Sequence, residues 1–374
     1  MGQVQRKRES GAVRMIEVET CRAPSLGQAE RDAWRSFQNA DPALASPYFS
    51  LGFLEAMAAV RRDTRVLVIR EAGEIKGFLP FHKGAMGYAR PLGGPLSDHH
   101  GFIATPGAVF DLHTVLRKAG LKVFDFFGAL GTQAAFREHA QEVDGSWVID
   151  LSGGYETWLD TRSGVEPKAF RNLRARRRKL EEETSRFQFR VDDNRPEVLA
   201  KALEWKSAQY RRTGHFDVFS VGWTRKLIDV LLGSGLDNAS GLVSSLEING
   251  QLAAAHVGMR SDTVLHYWFP VYDPEFSKLG PGLNLLMQIA RELSAEGLRE
   301  IHLGPGEYDF KRELASWQFP LASGYATAPS LAGAARRIAD RIENVAESLP
   351  LGPVSTLPGR AFRRIDRYAA FRAA

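Results

Sequence analysis

The residue types best suited to chemistry gather in the last third of the chain, around Gly280-Pro281-Gly282. Gly280 and Gly282 lack Cβ atoms, so a ligand can come close to the backbone there. Pro281 lacks an N–H that would have no partner at a helix start anyway. The N–H groups that remain, through Leu283, and the helix dipole favour an anion such as a phosphate. The segment is not a P-loop, since no Gly-Lys-Ser/Thr follows, and not a dinucleotide fingerprint, since the third glycine is absent. A plain loop-to-helix turn is the alternative. Just upstream, His256 and His266 can each take a proton near neutral pH, or serve as ordinary sheet histidines. Glu307 and Asp309 are the next candidate bases, or simply acids favoured at a helix N-terminus. Tyr272 and Tyr308 are candidate proton donors or aromatic wall residues. A second polar cluster, Asp98-His99-His100, suits the mouth of a site better than a metal, because adjacent histidines on a strand face opposite sides.

These groups need a scaffold, and the hydrophobic pattern outlines one. Residues 64–80 and 241–257 each read as strand, tight turn, strand, turning at Ala72-Gly73 and Asn249-Gly250. Their likeness points to a tandem duplication, with chance similarity of two hairpins as the alternative. After the second hairpin come a β-branched and aromatic strand (263–269), a loop, a helix with apolar residues at helical spacing (283–293), and a strand (298–303). That order is mixed α/β. Lys168 to Lys179 holds seven basic residues in twelve, followed by three glutamates, and reads as a charged helix joining the halves. A solvated face or contact with a cofactor or anionic acceptor would each suit it. Leu199 to Tyr210 reads as another amphipathic helix. In the tail, 359–374, Arg360, Arg363, Arg364 and Arg367 oppose Phe362, Ile365 and Tyr368, as in an interfacial anchor on anionic lipid or a helix docked on the protein's own core.

Bulk composition narrows the classes. At 374 residues, two domains and a tail are expected. A charge of +5 favours anionic partners, although nucleic acid is not the expected one. The single cysteine, Cys21, excludes an intrachain disulfide and any multi-cysteine metal site. The basic N-terminus lacks an apolar run behind it, and no stretch approaches the ~20 apolar residues of a membrane span. A cytoplasmic protein, peripheral on the inner face of the membrane, fits these features.

The chain resembles the GNAT acyltransferase superfamily, and more closely the double-GNAT proteins of the cellulose-biosynthesis CelD/BcsL family. The resemblance rests on Gly93 to His100, the basic run after Phe170, Trp205 to Gly214, Ala255-His256, His266 to Pro274, Pro281-Gly282, and Leu303-Gly304 through Lys311-Arg312. It covers roughly Ser46 to Leu321. It implies tandem GNAT-like acyl-CoA N-acyltransferase domains: an extension (1–45), a first domain (46–150), a second (151–325) with the basic linker helix at 166–184, and the tail (326–374). It also implies acyl-CoA, or an acyl carrier protein, as co-substrate without a metal. The donor would lie against Phe269, whose backbone N–H would hold the thioester carbonyl, against Gly280 to Leu283, and against Lys311. The acceptor would meet Asp98, His99, His100, Trp205, Lys206, Tyr210 and Tyr272, with His256, His266, Glu307 and Tyr308 catalytic. Where the family often has Asp-Leu-Gly this chain has His302-Leu303-Gly304, and where it often has Tyr-Lys it has Phe310-Lys311, so the usual phenol is missing. The expected reaction is acylation of the amine of a lipid-like acceptor such as a sphingoid base. Acetylation of amino sugars in exopolysaccharide or cellulose production, or aminoacyl-tRNA-dependent transfer of the Fem type, are the alternatives, and a catalytically dead scaffold is the non-enzyme one.

Overall fold

The computed structural model describes residues 16–233 and 235–338. Amphipathic tail residues 359–374 lie outside the described residues. Among the described residues, thirteen strands form one sheet: β1 (Ile16–Cys21), β2 (Thr64–Glu71), β3 (Glu74–Lys83), β4 (Tyr88–Pro91), β5 (Ile103–Ala104), β6 (Val123–Leu130), β7 (Ala140–Asp150), β8 (Phe187–Arg190), β9 (Ser240–Ile248), β10 (Gln251–Arg260), β11 (Val264–Tyr272), β12 (Glu300–Gly304) and β13 (Trp317–Thr327). Their spatial order is β1-β2-β3-β4-β6-β13-β7-β12-β11-β10-β9-β8, with β5 on β3. The segment expected as an N-terminal extension thus supplies the edge strand β1, paired along its length with β2.

Both hairpins turn where their sequences require. Ala72 and Gly73 have φ of 50° and 82°, and Asn249 and Gly250 have 51° and 81°. Two consecutive positive φ values are what a tight antiparallel turn needs to match strand twist. Each half then repeats one device. β4 pairs with β6 in parallel at only Tyr88↔Val123 and Ala89↔Phe124, and β11 pairs with β12 in parallel at only Val264↔Glu300, Leu265↔Ile301 and His266↔His302. Beyond those pairs the strands separate, opening a cleft in the sheet.

The halves interlock by exchanging strands. C-terminal β13 lies antiparallel on β6 of the first half, while β7, which precedes the second half, lies antiparallel on β12. β13 and β7 also pair with each other from Trp317↔Val148 to Gly324↔Ala140. These ladders, interrupted by bulges near Gly304 and Gly324, fuse the halves into one sheet.

Helices cover both faces: α1 (Gln28–Ala40), α2 (Leu51–Val60), α3 (Leu112–Lys118), α4 (Ala134–Arg137), α5 (Tyr155–Val165), α6 (Pro167–Glu183), α7 (Pro196–Arg212), α8 (Gly222–Leu232), α9 (Pro281–Ala295) and α10 (Asp309–Leu314). α2 is apolar on nearly all sides because it is buried between the halves, against α8. The Ser50 hydroxyl caps it by accepting from Phe53 N–H at 3.0 Å. One core joins the halves through Trp34, Phe53, Trp223 and Phe269, a second packs α9 on the C-terminal sheet, and a third packs α3 on the N-terminal sheet. Among the described residues no helix is long and apolar enough to cross a membrane.

Candidate active site

The second cleft is built from β11, β12 and α9. β11 carries a bulge: Val257 faces Phe269 but Met259 faces His266, so three steps on β11 match two on β10. A bulge re-aims side chains and is common beside active sites. Here it lets Leu265 and Tyr267 face the α9 core while Phe269 and Val271 face the inter-half core. After β11, residues 274–279 make a short 3-10 turn, and Gly280 at φ 59° begins α9. The Asn284 amide donates to the carbonyls of Leu279 (2.9 Å) and Gly280 (3.3 Å), holding the turn shut. The first N–H groups of α9, those of Gly282 and Leu283, then point out of the helix end without intrahelical partners. Tyr272, half exposed, lies beside Gly282: a Cβ there would stand 3.6 Å from Tyr272 Cδ1. These residues, Gly280 to Leu283 and Tyr272, form one cradle.

A polar group lies where β11 and β12 part. Asp98, from the first half, places Oδ2 3.0 Å from His266 Nε2. The Asp98 side chain is 32% exposed, whereas that of His266 is 1% exposed. Two glycines permit this approach. A Cβ on Gly304 (φ 74°) would stand 2.5 Å from Asp98 Oδ2, and one on Gly128 (φ 61°) would stand 2.5 Å from the Asp98 carbonyl oxygen. The Tyr48 ring meets His266 edge-on at 4.8 Å, and the Tyr48 hydroxyl donates to Leu96 O at 3.1 Å. Trp268 Nε1 donates to the same carbonyl at 3.1 Å. Burial, then the Asp98 charge, pushes the Tyr48 phenol well above its usual range, so it stays protonated.

Two lysines supply cationic groups. Lys311 Nζ donates to the carbonyls of Gly304 (3.2 Å) and Pro305 (2.6 Å) and stands 5.3 Å from the Tyr308 ring centre. Burial pulls its pKa down, opposed by the charges of Asp98, Asp144 and Glu307. Lys206, on α7, reaches the Pro270 carbonyl at 3.4 Å and lies 5.4 Å from the Tyr210 ring centre. Burial, then repulsion from Lys311, lowers it to about 8. The Tyr210 phenol is pushed up by burial, then by Asp98, Asp217 and Tyr308. Asp98, Lys206, Lys311, Tyr210 and Tyr308 therefore share one electrostatic neighbourhood.

The remaining sequence candidates sort by position. His99 turns inward, with Nε2 2.8 Å from Ser146 Oγ and its ring 5.4 Å from His266 and 5.2 Å from His302. Burial, then those two imidazoles, holds it well below the usual range, hence neutral. His100 points the other way, onto Phe124 and Phe136, and burial takes it down to about 3. His256 stacks on Tyr267 at 4.1 Å, on the opposite side of β11 from His266. Neither of its ring nitrogens has a hydrogen-bond partner among the described residues, and burial, then His266, lowers it to about 3. Phe269 is buried against Phe219. Trp205 is half-buried on α7 near Lys201, and Glu307 is exposed in the turn before Tyr308, itself exposed.

Sequence reasoning missed Tyr48, His302 and the role of Gly304. His302 Nε2 lies 2.7 Å from Glu300 Oε2 in the same buried group. Gly304 was visible in the Leu303-Gly304 pair, but nothing near Tyr48 hints that it meets His266, 218 residues along the chain. Among the described residues no group of three or more His, Cys, Asp or Glu side chains is arranged to hold a metal.

Comparison with known proteins agrees with this architecture. Residues 167–312 match the family model described as an acetyltransferase (GNAT) domain. FemX is similar in structure at 11% identity and a TM-score of 0.52, over 82% of this chain and 96% of that one. A tandem GNAT protein from the clavulanic acid biosynthesis pathway aligns at 14% identity and a TM-score of 0.47, over 84% and 100%. No curated protein matches the sequence. Residues 167–312 thus carry a GNAT-type acyltransferase domain, set in a mixed α/β fold that resembles FemX.

Proposed function

We propose that this protein is an acyl-CoA-dependent N-acyltransferase in which Asp98, held by His266, takes the proton from the attacking amine. The observation that carries this reading is the half-exposed Asp98 carboxylate, fixed at 3.0 Å from His266 in the cleft between β11 and β12. The neighbouring cradle at the start of α9, which we read as the acyl-donor site, falls within the matched segment. The cradle suits a diphosphate, because Gly280 brings no Cβ and the first helical N–H groups face outward. With the donor phosphates there, the thioester arm runs along the bulged part of β11 toward Asp98.

The chemistry follows from the charges present. An amine attacks only with a free lone pair, and a carboxylate at contact distance can remove its proton during attack. Lys311 and Lys206 stabilise the negative charge that develops on the carbonyl oxygen and on the departing sulfur. His256 takes no part in this scheme, and His99 and His302 support the base from behind. The acceptor we infer is an amine with an apolar body, for which a sphingoid base is the first candidate. Exposed Tyr308, Tyr272 and Trp317 support it, since amphipathic aromatic rims suit one apolar end and one polar end.

Purified protein incubated with acyl-CoAs of graded length and with sphinganine, glucosamine or a simple alkylamine tests the reading. Amide product with sphinganine, lost in Asp98→Asn, supports it. Product only with glucosamine transfers the reading to amino-sugar acetylation. Full activity of Asp98→Asn removes the base assignment.

A further inference from the structure

The carboxylate in the second cleft is carried by a turn belonging to the first half, and that turn is pinned at both ends. At its far end Leu96 O accepts from both Tyr48 and Trp268, and Asp98 meets His266. At its near end Gly93, at φ 79°, donates its N–H to His82 Nε2 at 2.9 Å. Between the two, Leu96 N–H donates to Gly93 O (3.2 Å) and Ser97 N–H to Gly94 O (3.0 Å), so the turn moves as a unit. Accepting from Gly93 requires Nε2 to be unprotonated, which puts the His82 proton on Nδ1. There it faces Asp63 Oδ1 at 3.2 Å. Asp63 is itself gripped by Arg61 Nε (2.9 Å) and Nη2 (2.5 Å). The Arg61 guanidinium, almost fully buried, lies 4.9 Å from the Trp223 ring centre on α8 of the second half. A chain of contacts therefore runs from α8 through Arg61, Asp63 and His82 to Gly93, and on through the turn to Asp98.

We propose that His82 is a positioning residue for the transfer reaction: it holds the Gly93–Ser97 turn so that Asp98 reaches the second cleft. This rests on the reading of Asp98 as the base. His82 is buried on β3 and touches no reacting group, so it reaches the second cleft through the Gly93 N–H. Loosening that one bond lets Asp98 drift from the attacking nitrogen. Displacements of ~1 Å are enough to lower turnover substantially without changing donor affinity.

Two polar substitutions separate the two contacts of the ring, the hydrogen bond from Gly93 and the approach to Asp63. The amide oxygen of His82→Gln reaches the place of Nε2 and can accept from Gly93. His82→Asn keeps a donor toward Asp63 but is too short to reach Gly93. Hydrogen exchange read by mass spectrometry on the full chain needs no substrate. Exchange in residues 92–98 is expected to quicken in His82→Asn and to return to the wild-type rate in His82→Gln, with β9 and β10 unchanged in both. With palmitoyl-CoA and sphinganine, His82→Asn should lower kcat about tenfold with the palmitoyl-CoA KM unchanged, while His82→Gln recovers most of it. Added to Asp98→Asn, His82→Asn should cost little more, because both act through one group. Unaltered exchange in 92–98, or equal loss in the Asn and Gln variants, overturns the proposal. If exchange behaves as expected but Asp98→Asn stays active, the turn is held by His82 and the base assignment alone fails.

Discussion

The two clefts in the sheet start alike and end differently. In the first half β4 and β6 part after two parallel pairs, and in the second β11 and β12 part after three. Beyond β11 the chain makes a short turn and a fifteen-residue helix, leaving the helix N-terminus free at the cleft. Beyond β4 it makes the Gly93–Ser97 turn and runs back into the gap: His100 bridges Ala129 in parallel, its N–H donates to Gly128 O, and its carbonyl accepts from Leu130 N–H, both at 2.8 Å. The first cleft is filled by its own backbone. What it loses as a ligand site it returns as a side chain, since the chain entering the gap carries Asp98 to His266 just before His100. On the proposed reading, one half holds the donor cradle while the other supplies the base.

The most direct way to break this comparison is Asp98→Asn. It should lower kcat about 10³-fold while leaving the donor KM within a factor of two, as steady-state kinetics would show. An equal rise in donor KM would mean that Asp98 belongs to the cradle instead. Glycine substitutions come next. Gly304→Ala forces a Cβ to within 2.5 Å of Asp98 Oδ2 at φ 74° and should cost about 10²-fold in kcat. Gly280→Ala, at φ 59° and with a Cβ 2.6 Å from Arg176 Cδ, should instead raise the acyl-CoA KM about tenfold. Gly93→Ala, the matching change in the first half, should lower Tm and kcat and leave acyl-CoA binding by calorimetry unchanged.

A smaller effect should appear in the pH profile. Lys206 is lowered to about 8 by burial and Lys311, so it is cationic at neutral pH and loses its charge as pH rises through 8. The kcat/KM profile should fall above pH 8, and Lys206→Met should be less active at pH 7 but lack that limb. The smallest effect concerns stability and touches both halves equally. His100 in the first half and His256 in the second are each lowered by burial to about 3 when folded, against about 6.5 unfolded. The unfolded state then binds more protons between those values, so each contribution to stability is complete above 6.5 and is lost as pH falls toward 3. His100→Phe and His256→Phe should each move the acid unfolding midpoint down by roughly half a pH unit, followed by circular dichroism.

Much of the second half was legible because its signals are local. Asn249-Gly250, the apolar spacing after Leu283 and the basic run before three glutamates each act within a few residues, and the structure has the turn, α9 and α6 there. The divergence of His99 from His100 follows from strand alternation in the same way. The Asp98–His266 pair proposed as the base was harder to see. His256 and His266 look equivalent in sequence, ten residues apart on neighbouring strands. A bulge in β11 and the bound Asp98 distinguish them, and neither is a property of the local sequence.

Sequence by itself determined that this chain makes mixed α/β structure with a hairpin in each half, and a glycine-opened helix in the second. Local propensity, apolar period and backbone freedom at glycine suffice for that, because each depends on neighbours in the chain. Tertiary structure alone decided that the first half's cleft is closed, that β7 and β13 trade places, and that Asp98 meets His266 across 168 residues. Those outcomes depend on which strands pair at long range and on how closely Gly128 and Gly304 let another segment approach. Contacts of that kind are set by packing between segments, to which no short stretch of sequence bears witness.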